Sequence, residues 1–271
     1  MKKKLLELLQ TLNTNEQKTY FAYIKNKFKK PNKIKNSVIN INALVEMFDT
    51  DFILNTIFKN IKSFNFNNKK MIEIKNYETE TGTIILIEIK NNDKFNEFLK
   101  KVLKTSNTNQ GACLIFNKMI DIIIISNKPY SNVNEHFFKL NKKTWINLSK
   151  KIRIEHEIAH YYTKNLYGHA ANNLHDELIA DFIAFFHTMK QFKASWFIKF
   201  ISNKNKSKLC RFDIYTNQLP NKVKAATFLT AQICAQFIET WSKTGSCTNK
   251  NKLEQIIFLC ELGLENMIKL T

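Results

Sequence analysis

The chain has 271 residues, 44% of them hydrophobic, with five glycines and three prolines. It can therefore bury a globular core without disulfides, and collagen-like, proline-rich and long flexible-linker architectures are excluded. The net charge of +19 suggests an anionic partner, but Arg153 and Arg211 are the only arginines among 42 basic residues, and phosphate clamps favour the guanidinium fork.

The lysines lie scattered among Asn, Ile and Phe, so they read as a solvated surface and nucleic acid is a disfavoured partner. Residues 2–30 are expected to be helical, with Leu5, Leu8, Leu9 and Leu12 at helical spacing. Glu7 and Gln10 make this opening stretch an amphipathic helix rather than a signal-peptide core. A polar break follows at 29–36, then a short helix at 41–48 and an apolar run at 52–61. Residues 71–75 and 83–90 flank a turn ending in Gly82, the pattern of a β-hairpin. Residues 93–104 read as a helix capped by Asn92 or Asp93, and 105–111 as a loop. A second strand pair is expected at 112–117 and 119–126. From Asn141 the pattern is helical, over about 144–166 (ending at Gly168), 172–192, 194–202, 222–243 and 250–269. The fold class expected is α+β, a small antiparallel sheet followed by a helical half. The domain division expected is 1–65, an N-terminal helical region, and 66–271.

The five cysteines form no CxxC pair, and no uninterrupted aliphatic run exceeds four residues, as at Ile122–Ile125. Both features point to a cytoplasmic protein with reduced thiols and no membrane span.

The chemistry is concentrated in Ile154-Glu155-His156-Glu157-Ile158-Ala159-His160. Two histidines four residues apart project from one helical face, so both imidazoles can reach one Zn²⁺. Glu157 points to an adjacent face, where it can act as general base on water that zinc has made acidic. A catalytic zinc needs a third protein ligand. The pattern HExxHxxGxxH is absent, because Thr163 and Leu166 stand at its glycine and histidine positions. The next helix offers Glu177, with Asp181 on the same face, and His169, Asp181 and His175 remain alternative ligands. Asp176 and Glu177 also suit the start of a helix, where the dipole favours carboxylates. Asp181 does not, and in its apolar surroundings it needs a partner.

HEIAH followed by ELIAD resembles the HExxH…ExxxD pattern of glutamate-zincins, the gluzincins. Its ExxAD form is similar to that of membrane-anchored CAAX-type peptidases and, more loosely, of ImmA/IrrE-like peptidases. The resemblance covers about 30 residues, from Ile154 to Phe185. It implies Glu177 as third ligand and Asp181 as acceptor from the distal nitrogen of His156. Arg153 departs from the small or aliphatic residue often found before such a motif. His169 and His175 are candidates to stabilise an oxyanion, with Tyr161, Tyr162, Tyr167, Tyr215 and Arg211 unranked beside them. The Ile-rich strand at 119–126 is a candidate substrate edge, although its composition suits a buried central strand better. The expected function is zinc-dependent hydrolysis of peptide bonds in a cytosolic protein or peptide. The rivals are an inactive zincin-fold interaction protein and a lysine-rich nucleic-acid binder.

Overall fold

The run Ile122–Ile125 has no polar alternation, so as a strand it must be covered on both faces. The computed structural model, which describes residues 1–28, 31, 72–102, 111–115, 121–168, 173–203 and 210–271, places it in that way. The expectations for 29–36 (apart from Pro31), 41–48 and 52–61 lie outside the described residues, as does His169. Four strands form one sheet: β1 (Ile72–Thr79), β2 (Gly82–Ile89), β3 (Ala112–Ile115) and β4 (Ile122–Ser126). Their order is β1-β2-β4-β3, with β4 interior and entirely buried. The β1–β2 hairpin pairs Thr79 with Gly82, whose φ of 133° is open to glycine alone. β3 and β4 are antiparallel, but β2 and β4 run parallel. The parallel pair was not anticipated; it requires a crossover, and α3 (Asn92–Val102) lies within it. Phe95, Phe98 and Leu99 of α3 join Ile85, Ile87, Ile122 and Ile124 in one core, each contributing about 2 kcal/mol by burial. Asn91, one residue earlier than expected, caps α3 by accepting from the amides of Asp93 and Lys94.

The α-helices among the other described residues are α1 (Lys2–Gln10), α2 (Thr14–Ile24), α4 (Lys142–Tyr167), α5 (Leu174–Met189), α6 (Ala194–Ser202), α7 (Arg211–Tyr215), α8 (Asn221–Trp241), α9 (Gly245–Thr248) and α10 (Lys252–Leu270). The protein is α+β. The single N-terminal helix expected is two, because Asn13 and Glu16 form a capping box that starts α2 afresh. α7 was not expected at all.

The chain divides into two compact units, Met1–Lys33 with Ile158–Thr271, and Ile34–Glu157. The boundary between them falls at Glu157 and Ile158. The described part of the expected 1–65 region belongs with the C-terminal helices. Tyr20 shares a 2.6 Å hydrogen bond with Thr230, and Asn26 donates to the Cys260 carbonyl at 2.8 Å. That donation tends α10 where Gly263 (φ 71°) breaks it. All five cysteines are free. Among the described residues no helix is long and apolar enough to cross a membrane.

Candidate metal centre

α4 starts where Asn141 accepts from the Thr144 amide, and its 26 residues give it a length of about 39 Å. It stops at Gly168, whose φ of 79° suits glycine and whose amide closes on the Lys164 carbonyl. His156 and His160 lie on the buried side, while Glu157 is half-buried.

α4 also holds the segment that follows β4. Trp145 donates its indole N–H to the Val133 carbonyl at 2.7 Å, and Ser149 accepts from the Tyr130 amide at 3.0 Å. The Arg153 guanidinium donates to the carbonyls of Ser126, Lys128 and Pro129 at 2.9–3.3 Å. Burial brings Arg153 down to about 10, so it stays charged at neutral pH. Ser131 and Asn132, at φ 47° and 54°, occupy the left-handed region, so this segment is bent tightly over the helix. The bend sets the Tyr130 hydroxyl 2.8 Å from His156 Nδ1, with the two rings edge to face.

α5 begins at Asn173, whose side chain accepts from the amides of His175 and Asp176. Every residue from Leu174 to Phe185 is buried, so α5 is a core helix. Three of those residues are carboxylates: Asp176, Glu177 and Asp181, at 0%, 3% and 0% exposure. Carboxylates this deep require partners. Asp176 meets His160 Nδ1 at 3.0 Å from Oδ2 and the Thr163 hydroxyl at 3.2 Å from Oδ1. Asp181 receives both ends of the Arg211 guanidinium, at 3.1 and 3.2 Å. Glu177 Oε2 accepts a short hydrogen bond from Arg211 Nη2, and Glu177 Oε1 lies 3.6 Å from His160 Nε2. Tyr215, one turn after Arg211 on α7, lies close enough to Glu177 and Arg211 for both to act on its phenol. Burial pushes that phenol well above its ordinary pKa, and the neighbouring Glu177 charge pushes it further.

His156, His160 and Glu177 therefore converge: one ligand atom from each lies within 4.8 Å of the others, and all three residues are buried. The donor set fits a zinc ion. A carboxylate at His160 Nδ1 fixes the proton there, which leaves Nε2 its lone pair. Tyr130 at His156 Nδ1 can accept in the same sense. Two imidazoles and one carboxylate would supply three ligands, the number typical of zinc sites with an open position.

The structure distributes the remaining candidates differently from the sequence reading. Tyr130 stands at the outer nitrogen of His156, where Asp181 was expected, and Asp181 is engaged by Arg211. The carboxylate on a histidine's outer nitrogen is Asp176, whose place in the sequence also suits a helix start. His175 is in the core, with Nε2 3.0 Å from the Leu259 carbonyl and its ring against Phe28. Burial lowers its pKa to about 4, so it is neutral at pH 7. Tyr161 and Tyr162 are buried against each other, and Tyr167 packs on Phe28. β4 is interior, and the edge strands of the described sheet are β1 and β3. Cys113 on β3 is close enough to Glu157 that its charge adds to the burial that raises the thiol. Tyr130 carried no signal in the sequence. Arg211 carried one, since it is one of only two arginines in the chain.

Fold and site define an α+β protein with a buried two-histidine, one-glutamate cluster on consecutive helices. It belongs to a family of unknown function, DUF7005, which matches residues 116–271 and so includes every residue of the cluster. No curated protein and no solved structure matches the chain.

Proposed function

We propose that this protein is a zinc-dependent peptidase, with His156, His160 and Glu177 as metal ligands and Glu157 as general base. The observation that carries the reading is the convergence of those three ligand side chains beside an intact, half-buried Glu157. A bound zinc ion would supply Lewis acidity, polarising the scissile carbonyl and making water acidic enough to attack near neutrality.

The chain's own residues do the rest. Glu157 takes one proton from the attacking water as the new C–O bond forms. When the C–N bond breaks, Glu157 returns that proton to the leaving amine. Two of the oxyanion candidates, Arg211 and Tyr215, lie beside a ligand; Arg211 is engaged by Asp181 and Glu177, and the raised pKa of Tyr215 keeps its phenol protonated at neutral pH. β3 presents an edge strand with Cys113 near Glu157, which suits an extended peptide added to the sheet. The free thiols and the absence of a membrane-spanning helix among the described residues favour a cytosolic peptide or protein as substrate.

The test pairs metal analysis with a Glu157→Gln variant, assayed on a mixed peptide library. The expected result is about one zinc per chain in both proteins, with cleavage reduced at least a hundredfold in the variant. Zinc without turnover in the wild type would favour the inactive-scaffold reading. Native protein purified without chelators and free of metal would overturn the proposal.

A further inference from the structure

Resting on that reading, we infer that Arg211 is a positioning residue for the metal: anchored on Asp181, its fork occupies one oxygen of Glu177 so that Glu177 binds zinc through the other. Three observations support this.

The first is geometric. Nη1 and Nη2 of Arg211 span the two oxygens of Asp181 at 3.1 and 3.2 Å, which fixes the plane of the guanidinium. Nη2 also donates to Glu177 Oε2, and Oε1 is the oxygen 3.6 Å from His160 Nε2. A carboxylate held at one oxygen by a rigid donor presents the other as a single ligand atom.

The second is the depth of the arrangement. Glu177 and Asp181 are buried on one face of α5, one turn apart, and Arg211 is only 19% exposed in its side chain. Two carboxylates this close and this dry require a shared counter-charge, and Arg211 supplies it whether or not metal is present.

The third is compositional. The chain uses lysine at 40 of its 42 basic positions (42 minus Arg153 and Arg211). Both arginines serve three acceptors at once, Arg153 on three carbonyls and Arg211 on three carboxylate oxygens. An ammonium is a compact point charge and cannot span the Asp181 carboxylate while touching Glu177 in the same plane. Arginine stands where the fork is needed.

The role is testable with Arg211→Lys, which keeps the charge and removes the fork, and with Arg211→Met. Zinc affinity is measured by competition with a chromophoric chelator, and coordination by the visible absorption of the cobalt(II)-loaded protein. Arg211→Lys is expected to weaken zinc about tenfold to a hundredfold, as is common for groups that orient a ligand. Release of Glu177 Oε2 should also raise the coordination number, seen as a weaker cobalt band. If Arg211 variants do not fold, as judged by circular dichroism, Asp181→Asn loosens the anchor instead, with the same spectral change expected. In folded proteins the Arg211→Lys and Asp181→Asn effects should be less than additive, because both act through one fork. Zinc affinity and a cobalt spectrum in Arg211→Lys equal to wild type would overturn the inference while leaving the peptidase reading intact. A wild type that binds neither zinc nor cobalt would overturn both.

Discussion

Asp176 Oδ2 accepts from His160 Nδ1 across 3.0 Å, and this contact joins the first turn of α5 to the face of α4 that carries His156 and His160. The pair is fully enclosed, with Asp176 at 0% exposure and its second oxygen held by Thr163. A charged acceptor at Nδ1 sets the tautomer and raises the basicity of Nε2. Asp176→Asn is therefore expected to weaken zinc binding about tenfold to a hundredfold. Thr163→Val should matter less, because it leaves the carboxylate in place. Chelator competition on both variants measures the order. Equal effects would show that the carboxylate charge at Nδ1 is immaterial.

His156 differs from His160 in having a neutral phenol at its outer nitrogen. Tyr130→Phe removes only the hydroxyl, and the Trp145, Ser149 and Arg153 bonds that hold the backbone of the segment remain. Zinc should bind about tenfold more weakly. The melting temperature of the metal-free protein should shift by a few degrees at most, since a single hydrogen bond is worth about 1 kcal/mol. A large loss of stability with unchanged affinity would make Tyr130 a packing residue only.

These outer contacts explain what could and could not be read from the sequence. His156 and His160 are legible because helical geometry links positions four apart, and Glu177 because the next helix must begin soon after Gly168. Tyr130, Asp176 and Arg211 meet their partners across 26, 16 and 34 positions respectively, and no local periodicity encodes such separations. The long helices are similarly visible, whereas the parallel β2–β4 pair is not, because its register depends on a crossover. α7 is invisible in the sequence because five residues are too few to show a period. Asp176 misled for a physical reason: an acidic residue in the first turn of a helix is stabilised by the dipole wherever it points.

Arg153, unusual before such a motif, is explained by the segment it holds. Arg153→Met leaves the carbonyls of Ser126, Lys128 and Pro129 without that donor, and a stability loss of about 3 kcal/mol is expected. Gly111 gives an independent check. A Cβ there would lie 2.4 Å from Arg153 Nη2, and the guanidinium cannot swing aside without releasing its carbonyls. Gly111→Ala should cost about 1–2 kcal/mol. It should cost much less when combined with Arg153→Met, which removes the clash. Urea midpoints for the two single variants and the double variant decide the matter. Simple additivity would mean that the two sites do not meet.

His175 ties stability to pH. Burial lowers its pKa from 6.5 to about 4, so the native ring stays neutral while its Nε2 faces the Leu259 carbonyl. Between those values the unfolded chain binds a proton that the folded chain refuses, so unfolding is favoured as pH falls. The contribution is level above about pH 6.5 and declines by about 1.4 kcal/mol per pH unit toward pH 4. His175→Gln keeps a donor for Leu259 and does not titrate. Urea unfolding of metal-free protein, with chelator present throughout, should show the wild type the more stable at pH 7 by about 1 kcal/mol. At pH 5 the wild type should have lost about 2 kcal/mol to this group, and the order should reverse. Parallel stability curves for the two proteins between pH 7 and pH 5 would mean that His175 is protonated, or solvated, in the folded chain.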